Sequence, residues 1–273
     1  MLVVSTSHSL LLVDPASGEF TPIHRGNGLY YGIANHDGRW YVAARGRTPS
    51  SDSPGEEERG RILVFDADWR LVEAILAPFP LRDMHEILAH DGRLWITCSY
   101  DNMIAILDLR RAQWERWYPL GETPSPPYDL NHINSLAVSG DDMLVIAHNR
   151  GKSELLRFNQ ASRHLLARSP FGIQSHNIRE DDGRLITCSS GDGTLVDAGE
   201  WRLEVGGFPR GLLLSDRLRY VGISTIAERH ERDFTDGQIA VFDEDWHLMH
   251  TITLPREGLV LDIQPFVRTS ALD

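Results

Sequence analysis

Gly60-Arg-Ile-Leu-Val-Phe-Asp-Ala-Asp-Trp-Arg-Leu71 returns almost verbatim as Gly237-Gln-Ile-Ala-Val-Phe-Asp-Glu-Asp-Trp-His-Leu248. The second copy begins 177 residues after the first, which is four steps of about 44 and the period of a closed or stacked repeat. Each copy is a short apolar run between a glycine and an aspartate, the pattern of a buried strand bounded by turns. A second recurrence is the Asp-Gly dipeptide at Asp37-Gly38, Asp91-Gly92 and Asp182-Gly183, each followed by apolar residues. Asp-Gly fits the two-residue hairpin turn, whose central residues both need positive φ.

Working outward from these turns, inner hairpins begin near Tyr31, His85, Asn134, His176, Arg210 and Asp262. Six starts in 273 residues give one unit per ~45, the size of a four-stranded propeller blade. The second unit is the clearest, with Ile87-Leu-Ala, Leu94-Trp-Ile-Thr, Ile104-Ala-Ile-Leu-Asp and Trp114-Glu-Arg-Trp-Tyr as its strands. No segment has a helical period. At the N-terminus, Val3-Val-Ser-Thr6 and Leu10-Leu-Leu-Val-Asp14 supply second and third strands without a first, which Gly258 to Phe266 provides from the C-terminus. The expectation is an all-β, six-bladed β-propeller, one domain over 1–273, closed by pairing N- and C-terminal strands within one blade, which removes two sheet edges.

Composition narrows the function. No apolar run is long enough to span a membrane as a helix, and the start, Met1-Leu-Val-Val-Ser-Thr-Ser-His8, lacks a basic leader pattern, so a cytoplasmic protein with no membrane partner is expected. The formal charge is −12 with no dense Lys/Arg cluster, which argues against nucleic acid. Cys98 and Cys188 occupy matching Ile-Thr-Cys-Ser tetrapeptides and are expected to be buried, inert thiols without a disulfide. There is no nucleophile elbow, dinucleotide fingerprint, phosphate loop or His-Glu-x-x-His pair. Serine hydrolase, Rossmann dehydrogenase and kinase readings therefore lose support.

The Asp-Gly turn and the Val-Phe-Asp-x-Asp-Trp strand exit resemble the six-bladed superfamily of NHL-repeat, gluconolactonase-like and strictosidine-synthase-like proteins. That resemblance covers nearly the whole chain, and its motifs are structural. In such a fold the inner strands start at the mouth of a central channel, and the longest loops mark the ligand face. The insertions Arg45 to Arg59 and Ala227 to Asp236 and the connection Gly121 to Asp129 belong there.

The six aligned positions form a polar ring, flanked by Glu86, Ser135, Asn177 and Gln264, with His132 two residues ahead of the third inner strand. Two ligand sets for a divalent metal (Zn, Fe or Mn) are open. His85, His176 and Asp262 sit on alternate blades; should the register of the third inner strand slip, the set is instead His85, His132 and His176 on adjacent ones. Tyr31 or Glu86 would move protons and Arg210 would anchor an anion. Asn134, Asn177 and Gln264 are expected to contact substrate, His148 to sit at the mouth, and His230 to close over the ligand from its insertion. The remaining histidines fall at turns and outer strands. Met84-His-Glu-Ile87 and Ser175-His-Asn-Ile178 resemble the site layout of the peptidyl-hydroxyglycine amidating lyases, which implies zinc held by strand-opening histidines, assisted by a Tyr and an Arg. The gluconolactonase-like scheme would instead draft Glu86, Asn134 or Asn177, and Asp262 around a divalent cation.

The expected function is thus a metal-dependent lyase, hydrolase or isomerase acting on a small polar or anionic metabolite, or a modified peptide, at the channel mouth. The alternative is a non-enzymatic propeller that binds a protein or glycan partner through its loop face, using Tyr30, Tyr100, Trp117, Tyr128 and Phe234. Nothing in the sequence fixes an oligomeric state.

Overall fold

The Asp-Gly dipeptides make the turns expected of them. Asp37, Asp91 and Asp182 have φ of 49° and their glycines 73°, 66° and 78°, the paired positive φ of a type I′ hairpin. The computed structural model describes residues 1–26, 28–47, 57–121 and 129–266. They build six four-stranded antiparallel sheets, and the only helical elements among them are short 3-10 turns. The inner strands are β4 (Tyr30–His36), β8 (Met84–His90), β12 (Ile133–Ser139), β16 (Ser175–Asp181), β20 (Phe208–Leu214) and β24 (Val260–Pro265), which open blades 1 to 6 in that order.

The fold is a six-bladed β-propeller. Its closure is the one anticipated: β24 pairs with β1 (Leu2–Thr6), and the order continues through β2 (Ser9–Val13) and β3 (Phe20–Arg25). Six buried apolar clusters fill the spaces between neighbouring blades, one of them also taking in Leu259 and Leu261 of blade 6. One, for example, packs Ile62 and Val64 of blade 1 against Ile87, Ile96 and Ala105 of blade 2. Every blade thus hides both faces, which is why its central strands read as continuous apolar runs rather than alternating ones.

The repeated Asp-x-Asp-Trp is a turn device. Asp66 Oδ1 accepts the Asp68 and Arg70 amides, and Asp243 Oδ1 accepts those of Asp245 and His247. This lets Trp69 and Trp246 take φ of 61° and 65° and fold back on Trp40 and Phe65, or on Trp201 and Phe242. Cys98 and Cys188 are both buried and unpaired. Burial pushes the Cys188 thiol up to about 12 and the Cys98 thiol well above its ordinary value, so both stay protonated and unreactive. Among the described residues, no helix is long and apolar enough to cross a membrane.

Candidate functional site at the channel mouth

Each inner strand breaks register near its start. The pairing skips between Tyr30 and Ile33, Met84 and Ile87, Ile133 and Ser135, His176 and Arg179, and Pro209 and Leu212; in blade 6 the break falls at Ser5/Thr6 opposite β24. A bulge interrupts the alternation of side chains, so neighbours such as His85–Glu86 and His176–Asn177 both line the channel. Tyr31, His85, Asn134, His176, Arg210 and Asp262 all do so, but in different layers.

The upper layer is histidine-rich. The residue just before the inner strand adopts a left-handed backbone in three consecutive blades, with φ of 53° at Asp83, 48° at His132 and 48° at Gln174. All three side chains reach the mouth cavity. His132 therefore arrives without any slip of the third strand, and Asn134 keeps the ring position. The rings of His85, His132, His148 and His176 form a closed circuit with successive centroid separations of 4.8, 4.7, 5.1 and 6.0 Å. One ligand nitrogen from each of His85, His132 and His176 lies within 4.8 Å of the other two.

The hydrogen bonds set the imidazoles' orientation. Ser190 Oγ donates to Pro209 O at 2.6 Å and therefore accepts from His176 Nδ1, 2.9 Å away, leaving the His176 Nε2 lone pair unused. His132 Nδ1 donates to Asp129 Oδ1 at 2.7 Å, which makes Nε2 its acceptor nitrogen. The buried Nε2 of His176 has no hydrogen-bond partner, and that of His85 has only Asp83 Oδ1 at 3.5 Å. His148 differs, because its Nδ1 accepts the Arg150 amide at 3.0 Å, so its Nε2 carries the hydrogen. Burial, opposed at His85 by Asp83 and reinforced by Arg210 and by one another, lowers His85 to about 3, His148 to about 2 and His176 well below the ordinary imidazole value. Neutral imidazoles with unused lone pairs are what a metal ion requires, and carboxylate or hydroxyl partners on the far nitrogens are the usual support.

Around them is a cavity of ≈340 Å³ lined by Tyr31, Asp83, Asp129, Phe208 and five arginines, Arg45, Arg150, Arg210, Arg229 and Arg232. Burial opposes the Asp83 charge, yet Arg45, His85 and His132 hold its carboxyl well below the usual range. The Tyr31 hydroxyl accepts from Arg45 at 3.1 Å and is also hydrogen-bonded by Arg210. Its own proton is then the one it can offer to a ligand.

The lower layer is occupied by the fold itself. The amides exposed by the bulges are capped from the preceding blade: Asn177 N by Ser135 Oγ (2.7 Å), Gly211 N by Asn177 Oδ1 (2.8 Å) and Ile33 N by Asp262 Oδ2 (2.8 Å). Asn134 likewise donates to Ser175 O. Asp262 also accepts from Ile263 N and Gln264 and faces Arg179 at 3.7 Å. The structure thus does not bring Asp262 to the histidines, because its carboxylate is held in the channel waist by backbone amides and a guanidinium. Glu86 is there too, 3.5 Å from Arg179 and 3.3 Å from the Asn177 amide. Desolvation, with Asp262 adding and Arg179 opposing, raises Glu86 to about 7. Glu86, Arg179 and Gln264 open instead to a ≈380 Å³ cavity with several apolar side chains in its wall, including Leu88, Leu136 and Val138, at the other end of the channel.

The insertions contribute differently from expectation. His230 is exposed and faces Glu231, while its neighbours Arg229 and Arg232 line the mouth. Residues 48–56 and 122–128, Tyr128 among them, lie outside the described residues. Of the other aromatics named for a partner surface, Tyr30 and Trp117 are buried, Tyr100 is partly buried beneath Arg82, and Phe234 is exposed. Asp83, Asp129, Gln174, Arg150, Phe208, Arg229 and Arg232 escaped the sequence reading. A usable signal existed for two of them: Asp83, His132 and Gln174 all stand two residues before a ring position.

No protein-family model matches this chain, and no curated protein does. Solved structures do. A protein of unknown function from Bacteroides caccae superposes with a TM-score of 0.68 at 13% identity, covering 96% of this chain and 97% of that one. A chain of a nidogen/laminin complex gives a TM-score of 0.68 at 13% identity, covering 96% of each. Similarity at this level shows the shared propeller fold and leaves the chemistry to be argued from the site.

Proposed function

We propose that this chain is a metal-dependent enzyme acting on a small anionic metabolite at the loop-bearing mouth of the propeller. The observation that carries the reading is the convergence of His85, His132 and His176 within 4.8 Å, with the buried Nε2 of His176 lacking a partner and that of His85 held only by a 3.5 Å approach to Asp83 Oδ1. Unused lone pairs in a buried site cost free energy unless something accepts them. Three neutral nitrogens suit zinc, iron or manganese with coordination positions left over. Once bound, the metal would supply Lewis acidity or an activated water.

The chain's own residues supply the rest. Asp129 and Ser190 hold His132 and His176 in the ligating tautomer. Tyr31, fixed by Arg45 and Arg210, offers a proton at the cavity wall, and Arg210 holds an anionic group. Lyase, hydrolase and isomerase chemistry can each use this combination of electrophile, proton donor and anchor.

The test is the metal content of protein purified without chelator or metal-affinity resin, measured by elemental mass spectrometry. About one equivalent of zinc, iron or manganese that disappears in His85→Ala and His176→Ala is expected. Metal-free protein that takes up none of these ions would overturn the reading.

A further inference from the structure

We propose that the ligand of the mouth cavity is a metabolite-sized dianion, a phosphate monoester or a dicarboxylate, with an oxyanion bridging Arg210 and Arg232. This deepens the metal-site reading and rests on it for the position of the reacting end. In a chain of net charge −12, gathering five arginines and only two aspartates around one cavity segregates charge against the overall composition. Two of the five are already neutralised: Arg45 by Glu58 and Asp83, at 2.8 and 2.6 Å, and Arg150 by Asp129. Among the described residues, no carboxylate stands within ion-pair distance of Arg210, Arg229 or Arg232, although the Asp83 charge also acts on Arg210.

Arg210 and Arg232 also oppose each other. Burial, together with the charge of Arg232, brings Arg210 down to about 10 despite Tyr31 and the Asp83 charge. Each of the two has a buried Nε with no acceptor. An oxyanion between them would satisfy both N–H groups and remove the repulsion together, and planar guanidinium forks match phosphate and carboxylate oxygens.

The insertion that carries Arg232 is anchored. Asp233 is buried, accepting from Ser7 Oγ at 2.7 Å, while its carbonyl accepts from His8 Nε2 at 2.6 Å. Gly258 donates to Thr235 O at 2.9 Å, and a Cβ on Gly258, at φ +73°, would overlap the Asp233 carbonyl. The arginine is therefore held by contacts to the two strand ends that close the ring. Three guanidiniums without an ion-pair partner call for a dianion, since one charge would leave most of the excess in place. A cavity of ≈340 Å³ sits at the small end of the usual ~300–1,000 Å³ range, which favours a metabolite over a modified peptide.

The experiment is calorimetric titration of inorganic phosphate, succinate and neutral dimethyl succinate into wild type, Arg210→Gln and Arg232→Gln, with metal content measured on the same samples. Wild type is expected to bind phosphate or succinate but not the diester. Each variant is expected to bind at least about 10-fold more weakly at unchanged metal content. Tighter phosphate binding assigns a phosphate ester, and tighter succinate binding assigns a dicarboxylate. Should Arg210→Gln fail to fold, Arg232→Gln on the surface insertion carries the comparison. The inference is overturned if neither anion binds, if Arg232→Gln binds as wild type does, or if the diester binds equally. Metal-replete protein that ignores both anions would sink this inference alone. Metal-free protein with Arg232-dependent anion binding would sink the metal reading alone.

Discussion

Glu86→Gln tests whether the channel waist holds a carboxyl group that the fold keeps protonated. Glu86 is 6% exposed, and its folded-state value of about 7 stands above the 4.5 of an unperturbed glutamate. The native state then keeps a proton that the unfolded state releases. Glu86's favourable contribution is fully present below pH 4.5 and is lost as pH rises through 7. Between about pH 5 and about pH 8 the loss amounts to roughly 2.5 kcal/mol, at about 1.4 kcal/mol per unit of pKa shift. A glutamine cannot ionise and so cannot show it. Its altered hydrogen bonds to Arg179 and Asn177 change stability by an amount that does not vary with pH. The difference between wild type and Glu86→Gln should therefore move by about 2.5 kcal/mol in favour of the variant across that range. Urea unfolding followed by tryptophan fluorescence at several pH values measures it. Parallel curves would refute the argument and mean that Arg179 keeps Glu86 ionised throughout.

Further outcomes follow from the same contacts. In the metal-free protein, His85 and His148 are held at about 3 and about 2 against an ordinary 6.5. Stability present above pH 6.5 should thus fall as the solution is acidified, and His148→Gln should make the decline shallower by about 1.4 kcal/mol per pH unit; an unchanged slope in urea midpoints would refute it. Asp129→Asn removes the carboxylate shared by His132 and Arg150 and should weaken metal binding about 10- to 100-fold, read by competition with a chelator. Gly32→Ala places a Cβ against the Ile87 amide and 2.8 Å from the His85 carbonyl. Because backbone from two blades must move, a loss of about 3 kcal/mol is expected, and an unchanged melting temperature would disprove the close approach.

The blades were legible because their signals are local. An Asp-Gly turn, an apolar strand and an Asp-x-Asp-Trp exit each act within a dozen residues, and the period carries that information around the ring. The missing first strand at the N-terminus was equally readable, since blade 6 has one obvious donor. The metal-site candidates were half legible. His85 and His176 open their strands and stood out; His132 was reachable only as a slip of register. It comes instead from a left-handed residue ahead of the strand, a conformation to which apolar periodicity is blind. Arg229 and Arg232 were hidden behind His230 because the insertion's path is set by Asp233 meeting Ser7 and His8, more than two hundred residues away in sequence.

The ring itself misled in an instructive way. A bulge near the start of every inner strand leaves backbone amides without ladder partners, and a buried amide needs an acceptor. Polar residues at equivalent positions are thus required by the fold before any chemistry is added, so polarity on the ring does not by itself mark function. What separates the two layers is how the polar atoms are used. Asn177, Ser135 and Asp262 give their oxygens to the next blade's amides. His176 keeps a buried nitrogen with nothing to bind, His85 one with only a 3.5 Å approach to Asp83, and Arg210 keeps a buried Nε beside a like charge. A fold under selection for stability alone has no reason to retain three such groups around one cavity. That pushes the functional assignment upward to the histidine layer and leaves the waist its structural task.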